Sequence, residues 1–486
     1  MQGVFCGLNA GEQSAIMKKD RAVAPARTDF QTSGRICEIT VRERKTEMER
    51  RETALKYVRE AKDEVRLRVE EGIEQNRKRD AEIRVVSDRP LPEDVTVRAV
   101  QKNHEFRFGA NLFMLDELET EEKNALYREK FPEVFNLATL PFYWGDLEPV
   151  EGKPRYAKDS PRIYRRPTPD LCVEYCLEKG IEPKCHCLNY DMHLPAWLEG
   201  ASVEEHKKKL EKRFREIAER YSSVIPSFEV TNETLQRAKS AFFYEPDFLE
   251  WSWRTADRYF PENRLVINDY NVWWPESYNN RHAYYMQIER LMARGIRHID
   301  SVGIQFHSFF PREKEPEMAA TRYNPEMLLK LMDTYAPLGL AEQITEMTIP
   351  AYSSSEEDEE IQADLIETVY RTFFSHPAME AVIYWNFVDG YAYGAKPGDM
   401  ETGENVYHGG LLRFDMTEKP ACRRLKKLIR EEWHTDITVK AANGKARFRG
   451  FLGDYDLRIF ADGKEIPASF RLSRDGDNVL TVRLPG

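Results

Sequence analysis

The chain has 486 residues with 72 basic and 83 acidic side chains, a formal net charge of −11, and that balance argues against nucleic acid as the main partner, because phosphate binding draws on clustered Lys and Arg. A hydrophobic share of 41% with 12% aromatics supplies a sizeable core and excludes wholesale disorder; no apolar run reaches the roughly 20 residues of a membrane helix, and the length predicts one large domain with smaller additions. Seven scattered cysteines (Cys6, Cys37, Cys172, Cys176, Cys185, Cys187 and Cys422) form a reduced-thiol pattern rather than a disulfide framework, and the absence of an apolar signal region in Met1–Asp20 then predicts a cytoplasmic protein, or a secreted or periplasmic one if the N-terminus is truncated or mis-started.

Residues 1 to about 45 carry no clean periodicity and are expected to be poorly ordered, with Met17 or Met48 as alternative starts. From Met48 to Arg79, Leu55, Val58, Ala61, Val65, Val69 and Ile73 recur at helical spacing in a highly charged stretch. That predicts an amphipathic helix with a solvated outer face. Within 46–105 the period then changes: Ala81–Val86 and Val95–Val100 read as strands joined by a Pro-containing loop. Strand patterns return in 434–486, at Asp436–Val439, Ala446–Phe451, Tyr455–Phe460 and Asn478–Arg483, with turns at Asn443-Gly444 and Asp462-Gly463. Neither group alone makes a comfortable core, so the two are expected to pack together as a small accessory β-sandwich.

Between them, 106–433 alternates strand and helix. The strand candidates are Arg107–Leu112, Leu137–Trp144, Pro183–Asn189, Ser227–Glu233, Leu265–Tyr270, Ser301–His307, Glu342–Thr348 and Ala381–Phe387. Helical faces lie between them, such as Leu210, Phe214, Ile217, Ala218 and Tyr221, or Met327, Leu328, Leu331, Met332 and Tyr335. Alternating β and α units force a parallel sheet. Eight such units fit a closed (β/α)8 TIM barrel, and no GxGxxG loop follows the first strand to favour an open dinucleotide-binding sheet.

In a barrel of this kind the chemistry sits where the strands end. The fourth strand ends Thr231-Asn232-Glu233 and the seventh Ile344-Thr345-Glu346, which places two carboxylates across one mouth. Two carboxylates about 5–5.5 Å apart cleave a glycosidic bond with retention, one as acid/base and one as nucleophile. Thr231-Asn232-Glu233 is similar to the Asn-Glu signature of the clan A retaining glycosidases. The stretch 106–433 as a whole resembles glycoside hydrolase family 10, the endo-β-1,4-xylanases. Cys185-His186-Cys187-Leu188-Asn189-Tyr190-Asp191-Met192-His193, Ile267-Asn268-Asp269-Tyr270-Asn271, Gly303-Ile304-Gln305-Phe306-His307, Ile344-Thr345-Glu346-Met347 and Tyr384-Trp385 with Asp389 and Tyr393 follow that family's motifs in order.

The resemblance implies roles. Glu233 is the acid/base and Glu346 the nucleophile, kept ionised by polar neighbours. Asn232 bonds the sugar 2-hydroxyl, His307 orients Glu346 with Gln305 beside it, His186 lines the subsite of the cleaved sugar and Trp385 floors it. Asn189, Tyr190, Tyr143 and Tyr393 complete the substrate-binding set. It also implies a carbohydrate substrate and no cofactor. The sequence departs from the family at Thr139-Leu140-Pro141-Phe142-Tyr143-Trp144, where that family carries Glu, Asn and Lys, and Tyr190 stands for a Trp, Asp191 for a His, His193 for a Gln and Thr348 for an Asp. The cleavage machinery is kept while neighbouring sugar contacts are rebuilt, so the implied substrate widens from xylan to other β-linked glycans, decorated oligosaccharides or aryl glycosides. A non-catalytic carbohydrate-binding barrel and a transglycosylase share most of these residues and remain open.

Other clusters read as structural. Cys185 and Cys187 share one face of a strand and His186 the other, poor geometry for one metal with His193. Cys172 and Cys176 are buried small hydrophobes. Trp273 and Trp274 are assigned to the cleft, Trp251 and Trp253 to packing. The acidic run after Ser353-Ser354-Ser355 is an exposed cap and first helical turn.

Overall fold

The structure is a computed structural model and describes residues 49–236, 238–270, 272–274 and 277–485; the expectations for residues 1–45, Cys6, Cys37 and Asn271 lie outside them. Among the described residues the strands are β1 (Lys78–Val86), β2 (Thr96–His104), β3 (Arg107–Asn111), β4 (Leu137–Pro141), β5 (Glu182–His186), β6 (Ser227–Asn232), β7 (Arg264–Asp269), β8 (Ser301–His307), β9 (Ala341–Thr348), β10 (Met379–Tyr384), β11 (Asp436–Lys440), β12 (Lys445–Phe451), β13 (Gly453–Ala461), β14 (Lys464–Leu472) and β15 (Val479–Arg483). Strands β3 to β10 close into an eight-stranded barrel, and every neighbouring pair is parallel. All eight expected barrel strands are present. β4, β5 and β10 stop at Pro141, His186 and Tyr384, three residues earlier than the expected Trp144, Asn189 and Phe387. Pro141 lacks a ladder N–H, and Trp144–Leu147 turns into a helix.

Helices cover the barrel because each carries one apolar stripe. Val203–Tyr221 buries Leu210, Phe214, Ile217, Ala218 and Tyr221, with the Ser202 hydroxyl accepting from the Glu205 N–H at its start. Pro325–Tyr335 buries Leu328, Leu331, Met332 and Tyr335. The acidic run caps Glu356–Ser375 as expected, through the Ser355 hydroxyl and the Asp358 N–H. Its acids are not all solvated, however: Asp358 and Glu359 are buried, paired with Arg50 and Arg312, and with Arg413.

The long N-terminal helix is broken. Residues 49–54 are helical, a short turn spans Lys56–Arg59, and Asp63–Arg77 follows. Between them the Arg66 guanidinium ties back to the carbonyls of Arg59 and Ala61. Two of its charges are not on a solvated face. Arg50 is buried against Glu315 and Asp358, both within 2.8 Å, and Arg77 lies over the Phe106 and Phe374 rings.

The terminal strands form two sheets, β12-β1-β15 and β11-β2-β13-β14. Ile83, Val85, Val97, Ala99, Phe448, Leu457, Ile459 and Leu472 share one apolar core between them. β14 is a strand the sequence pattern misses. It is an edge strand with Pro467 in its middle, a place where the missing N–H breaks no ladder but the pattern is blurred. Glu49–Gly486 forms one unit.

Candidate active site

Two bulges and one left-handed turn load the barrel mouth. Side chains alternate along a strand, so Glu229 and Asn232, three apart, ordinarily face opposite ways. A register shift between Glu229 and Thr231 reverses the parity and puts Asn232 opposite Asn268. Glu233 then takes a left-handed backbone, φ 53°, and lines the same cleft as Asn232. β9 carries one extra residue, Thr345, opposite the step from Ile304 to Gln305 on β8, and so pairs Glu346 with Gln305. Thr345 reaches Asn268 Oδ1 at 2.6 Å, and the very next residue, Glu346, also faces the interior.

The resulting cleft of about 1060 Å³ is lined by Glu233, Glu346, Asn232, His186, Gln305, His307, Tyr143, Tyr190, Trp385 and Tyr393. Both carboxylates belong to one hydrogen-bond network. Asn268 Nδ2 donates to Glu346 Oε1 (3.0 Å) and to Asn232 Oδ1 (2.9 Å). Gln305 Nε2 donates to Glu233 Oε1 (3.1 Å) and to Asn232 Oδ1 (3.3 Å). The Tyr190 hydroxyl donates to Glu233 Oε2 at 2.5 Å. His307 Nε2 lies 3.1 Å from Glu346 Oε2, and its Nδ1 lies 3.1 Å from the Thr348 hydroxyl. Burial holds His307 down at about 4, so the ring is a neutral imidazole with one N–H to give, which Glu346 can accept while Thr348 donates at the other nitrogen.

Behind the carboxylates sits a buried charge cluster. Glu229 forms an ion pair with Lys184 Nζ at 2.6 Å and meets His186 Nδ1 at 2.5 Å. Burial opposes its charge, yet Lys184 and His186 hold Glu229 at about 2. Burial likewise opposes charge on His186, but the Glu229 carboxylate outweighs it and raises the imidazole above its ordinary value. Its Nε2 points to the Tyr143 hydroxyl at 3.0 Å and lies 4.0 Å from Glu346 Oε1.

Glu346 departs from the expectation of a carboxylate kept ionised by its polar neighbours. Burial, reinforced by the Glu229 and Glu233 charges and offset in part by His186 and Asn268, pushes it up to about 8. The physical reason is that Asn268, His307 and His186 are aimed at it but are desolvated with it.

Phe113, Tyr143 and Trp385 form a separate apolar cluster with Tyr190 at its edge. The Trp385 ring stands edge-on to His186 and His307 at 5.5 and 5.7 Å. His193 stacks on Tyr143 at 4.4 Å and 21°. Trp274 is exposed at the rim, whereas Trp273 touches the cleft while its indole N–H bonds the Gln305 carbonyl. Asn189 is the one candidate not brought into the cleft: it is buried, and its amide donates to Ser252 at 3.1 Å. Cys185 and Cys187 are buried thiols pushed up by desolvation. The sequence reading passed over Asn268, Glu229, Lys184, Phe113, Arg165 and Arg166. Asn268 stands inside the Ile267-Asn268-Asp269-Tyr270-Asn271 motif, which was its available signal, whereas Glu229 joins Asn232 only through the register shift between Glu229 and Thr231, which strand alternation does not reveal. Arg165 and Arg166 sit in an irregular loop that carries no periodicity.

Residues 147–425, more than half of the chain, match the family model described as Glycosyl hydrolase family 10. Among curated proteins the chain is similar to the anti-sigma-I factor RsgI6 of Acetivibrio thermocellus, 24% identical over 426 residues that make up 85% of this chain and 49% of that protein. It is also similar to endo-1,4-beta-xylanase 2 of Arabidopsis thaliana, 21% identical over 71% of this chain and 29% of that one, and to endo-1,4-beta-xylanase B of Thermotoga neapolitana, 26% identical over 54% and 73%. The chain spans about half or less of the length of the first of these relatives. In fold it is similar to xylanase 10B from Thermotoga maritima, with a TM-score of 0.54 and 22% identity over 68% of this chain and 96% of that one. The likeness to xylanase 10B from Thermotoga petrophila RKU-1, solved in complex with xylobiose, has a TM-score of 0.54 at 21% identity, over 68% and 95%.

Proposed function

The chain belongs to glycosyl hydrolase family 10, and from that premise we propose that it cleaves a β-linked glycan or glycoside with retention of configuration, Glu346 attacking the anomeric carbon and Glu233 serving as acid and then base. The observation that carries this reading is the single network in which Asn232 links Gln305 and Glu233 on one side to Asn268 and Glu346 on the other. In the first step Glu233 gives its proton to the leaving oxygen while Glu346 forms the glycosyl ester; in the second, ionised Glu233 takes a proton from water, which releases the sugar and restores both carboxyls. His186 and Asn268 favour the anion on Glu346, and the positive charge that develops at the anomeric carbon favours it further. Trp385 offers an apolar face to the CH side of the ring.

The substrate proposed is of xylan type or a related β-linked oligosaccharide, in keeping with the xylanase relatives and with the similar fold solved with xylobiose. The test is release of products from β-1,4-xylo-oligosaccharides and from β-xylosides and β-glucosides, followed chromatographically with wild type and Glu346→Gln. Turnover that survives in Glu346→Gln defeats the assignment. A second reading, glycan binding without turnover, is supported by the relative named an anti-sigma-I factor, which covers most of this chain. Binding by calorimetry with no product by mass spectrometry selects it. Transglycosylation uses the same two carboxyls and is read from products formed with added sugar acceptors.

A further inference from the structure

The loop before the helix Pro169–Lys179 carries a charge that the reaction does not use. Arg165 is 5% exposed, and burial lowers its hold on its proton. Of its five N–H donors one bonds the Tyr391 carbonyl, while the buried Nε has no partner. Among the described residues no carboxylate comes within ion-pair reach of it. Glu404 pulls on it from a distance, but accepts from Asn386 Nδ2 at 3.2 Å instead. The neighbouring Arg166 differs in being paired, with Asp146 at 2.6 Å. A buried, half-satisfied guanidinium is costly in free energy, and an oxyanion is the partner that its planar fork fits.

The place of this guanidinium makes such a partner part of the substrate. Arg165 lines the catalytic cleft and also a side cavity of about 560 Å³ that opens beyond it. Tyr393 and Arg166 line both. The side cavity adds Lys396 and one carboxylate, Asp399, which is occupied by the Thr402 hydroxyl at 2.7 Å. A positive recess is therefore set into a chain of net charge −11. One aromatic ring separates it from the reacting centre: Phe113 is 6.5 Å from the His186 ring and 6.0 Å from the Arg165 guanidinium carbon. Those steps are about the size of a sugar ring.

We propose that the cleft recognises an acidic saccharide, and that Arg165 receives the carboxylate of a uronic acid carried by the chain being cleaved or by a branch on it. The proposal rests on the hydrolase reading of the cleft and narrows its substrate class. Arg166, held by Asp146 and lying 4.5 Å from the Tyr143 ring centroid, shapes the wall beside it, and Lys396 adds long-range attraction at the rim.

The test uses matched substrates. Xylo-oligosaccharides bearing one uronic acid, in each positional isomer, are compared with the same compounds after reduction of the carboxyl to the alcohol. The expected result is a kcat/KM for at least one acidic isomer on the order of tenfold or more above its reduced twin, a preference lost in Arg165→Gln and partly kept in Arg165→Lys. Calorimetric titration of Glu346→Gln with the same pair reads selectivity without turnover. Equal kcat/KM and equal affinity for every pair overturn the proposal even if hydrolysis is vigorous. If nothing is cleaved but acidic isomers bind preferentially, with dependence on Arg165, the hydrolase reading falls and the acidic site stands. If Arg165→Gln does not fold, the wild-type comparison of acid and alcohol still decides.

Discussion

The Glu346 carboxyl gives the sharpest test of the site's electrostatics, because the same burial that arms it also makes it unwelcome as an anion. Its ordinary value is 4.5 and the folded protein lifts it to about 8. A carboxyl raised in the folded state leaves stability fully present below its unfolded value and removes it as pH rises through the folded value. The window here is therefore about pH 4.5 to 8. At ~1.4 kcal/mol for each tenfold change in proton affinity, the difference has a ceiling of ~5 kcal/mol, and relaxation of the cleft brings the expected penalty nearer to about 2 kcal/mol. Glu346→Gln keeps the shape of the protonated acid and cannot ionise. It should match wild type in stability near pH 5 and exceed it by about 2 kcal/mol near pH 9, read as a growing gap between the two thermal unfolding midpoints across that range. Turnover should fall by on the order of 10⁴ or more in the same variant. A constant gap from pH 5 to pH 9, or a wild type that gains on the variant as pH rises, refutes the claim that Glu346 is buried at an electrostatic cost.

Glu233→Gln is expected to slow glycosides with poor leaving groups far more than activated aryl glycosides, because only the former need the proton, and comparing kcat/KM for the two classes checks it. Tyr190→Phe removes a 2.5 Å hydrogen bond to Glu233 and should lower kcat on the order of tenfold with little change in KM; an unchanged kcat makes that hydroxyl incidental. A methyl on Gly303 meets Asn268 Oδ1, the Ile267 carbonyl and Thr345 Cγ2, each at 2.8 Å, so Gly303→Ala should displace Asn268 from Glu346 and cost activity before it costs folding, seen by activity and thermal midpoint together. Arg50→Met strands Glu315 in the interior and leaves Asp358 to Arg312 alone, and should destabilise the fold by about 3–5 kcal/mol in denaturant unfolding.

The barrel was legible because its signals are periodic. Eight apolar runs separated by amphipathic helices force parallel closure, and polar strand ends mark the working rim. What escaped follows from physics that pattern reading lacks. Arg50 and Arg77 sit in a charged helix that looks solvated, and only tertiary placement shows Arg50 meeting Glu315 and Asp358. β14 hides behind Pro467 because edge strands tolerate what central ones do not. Asn189 lies between His186 and Tyr190 in a motif that otherwise reaches the cleft, yet its side chain goes to Ser252. The ionisation of Glu346 is not a matter of which polar residues are near, but of how much water they displace.

Neighbouring site residues also expose a conflict between strand geometry and catalysis. Alternation sends consecutive side chains to opposite faces, but the proposed chemistry needs Asn232 with Glu233 on one face, and Thr345, which holds Asn268, shares the interior with Glu346. The chain resolves this by a register shift and a left-handed residue on β6 and by a second shift on β9. Each device interrupts regular pairing at the barrel mouth, where water and loops can satisfy the freed backbone groups. It follows that the order of residues in these two motifs is as constrained as their identity. Exchanging Asn232 and Glu233 preserves composition and charge, but it moves the carboxylate off the left-handed position that faces Tyr190 and Gln305. Such a double exchange should abolish turnover while the fold stays closed, and activity in it would mean that the acid/base role does not depend on this backbone turn.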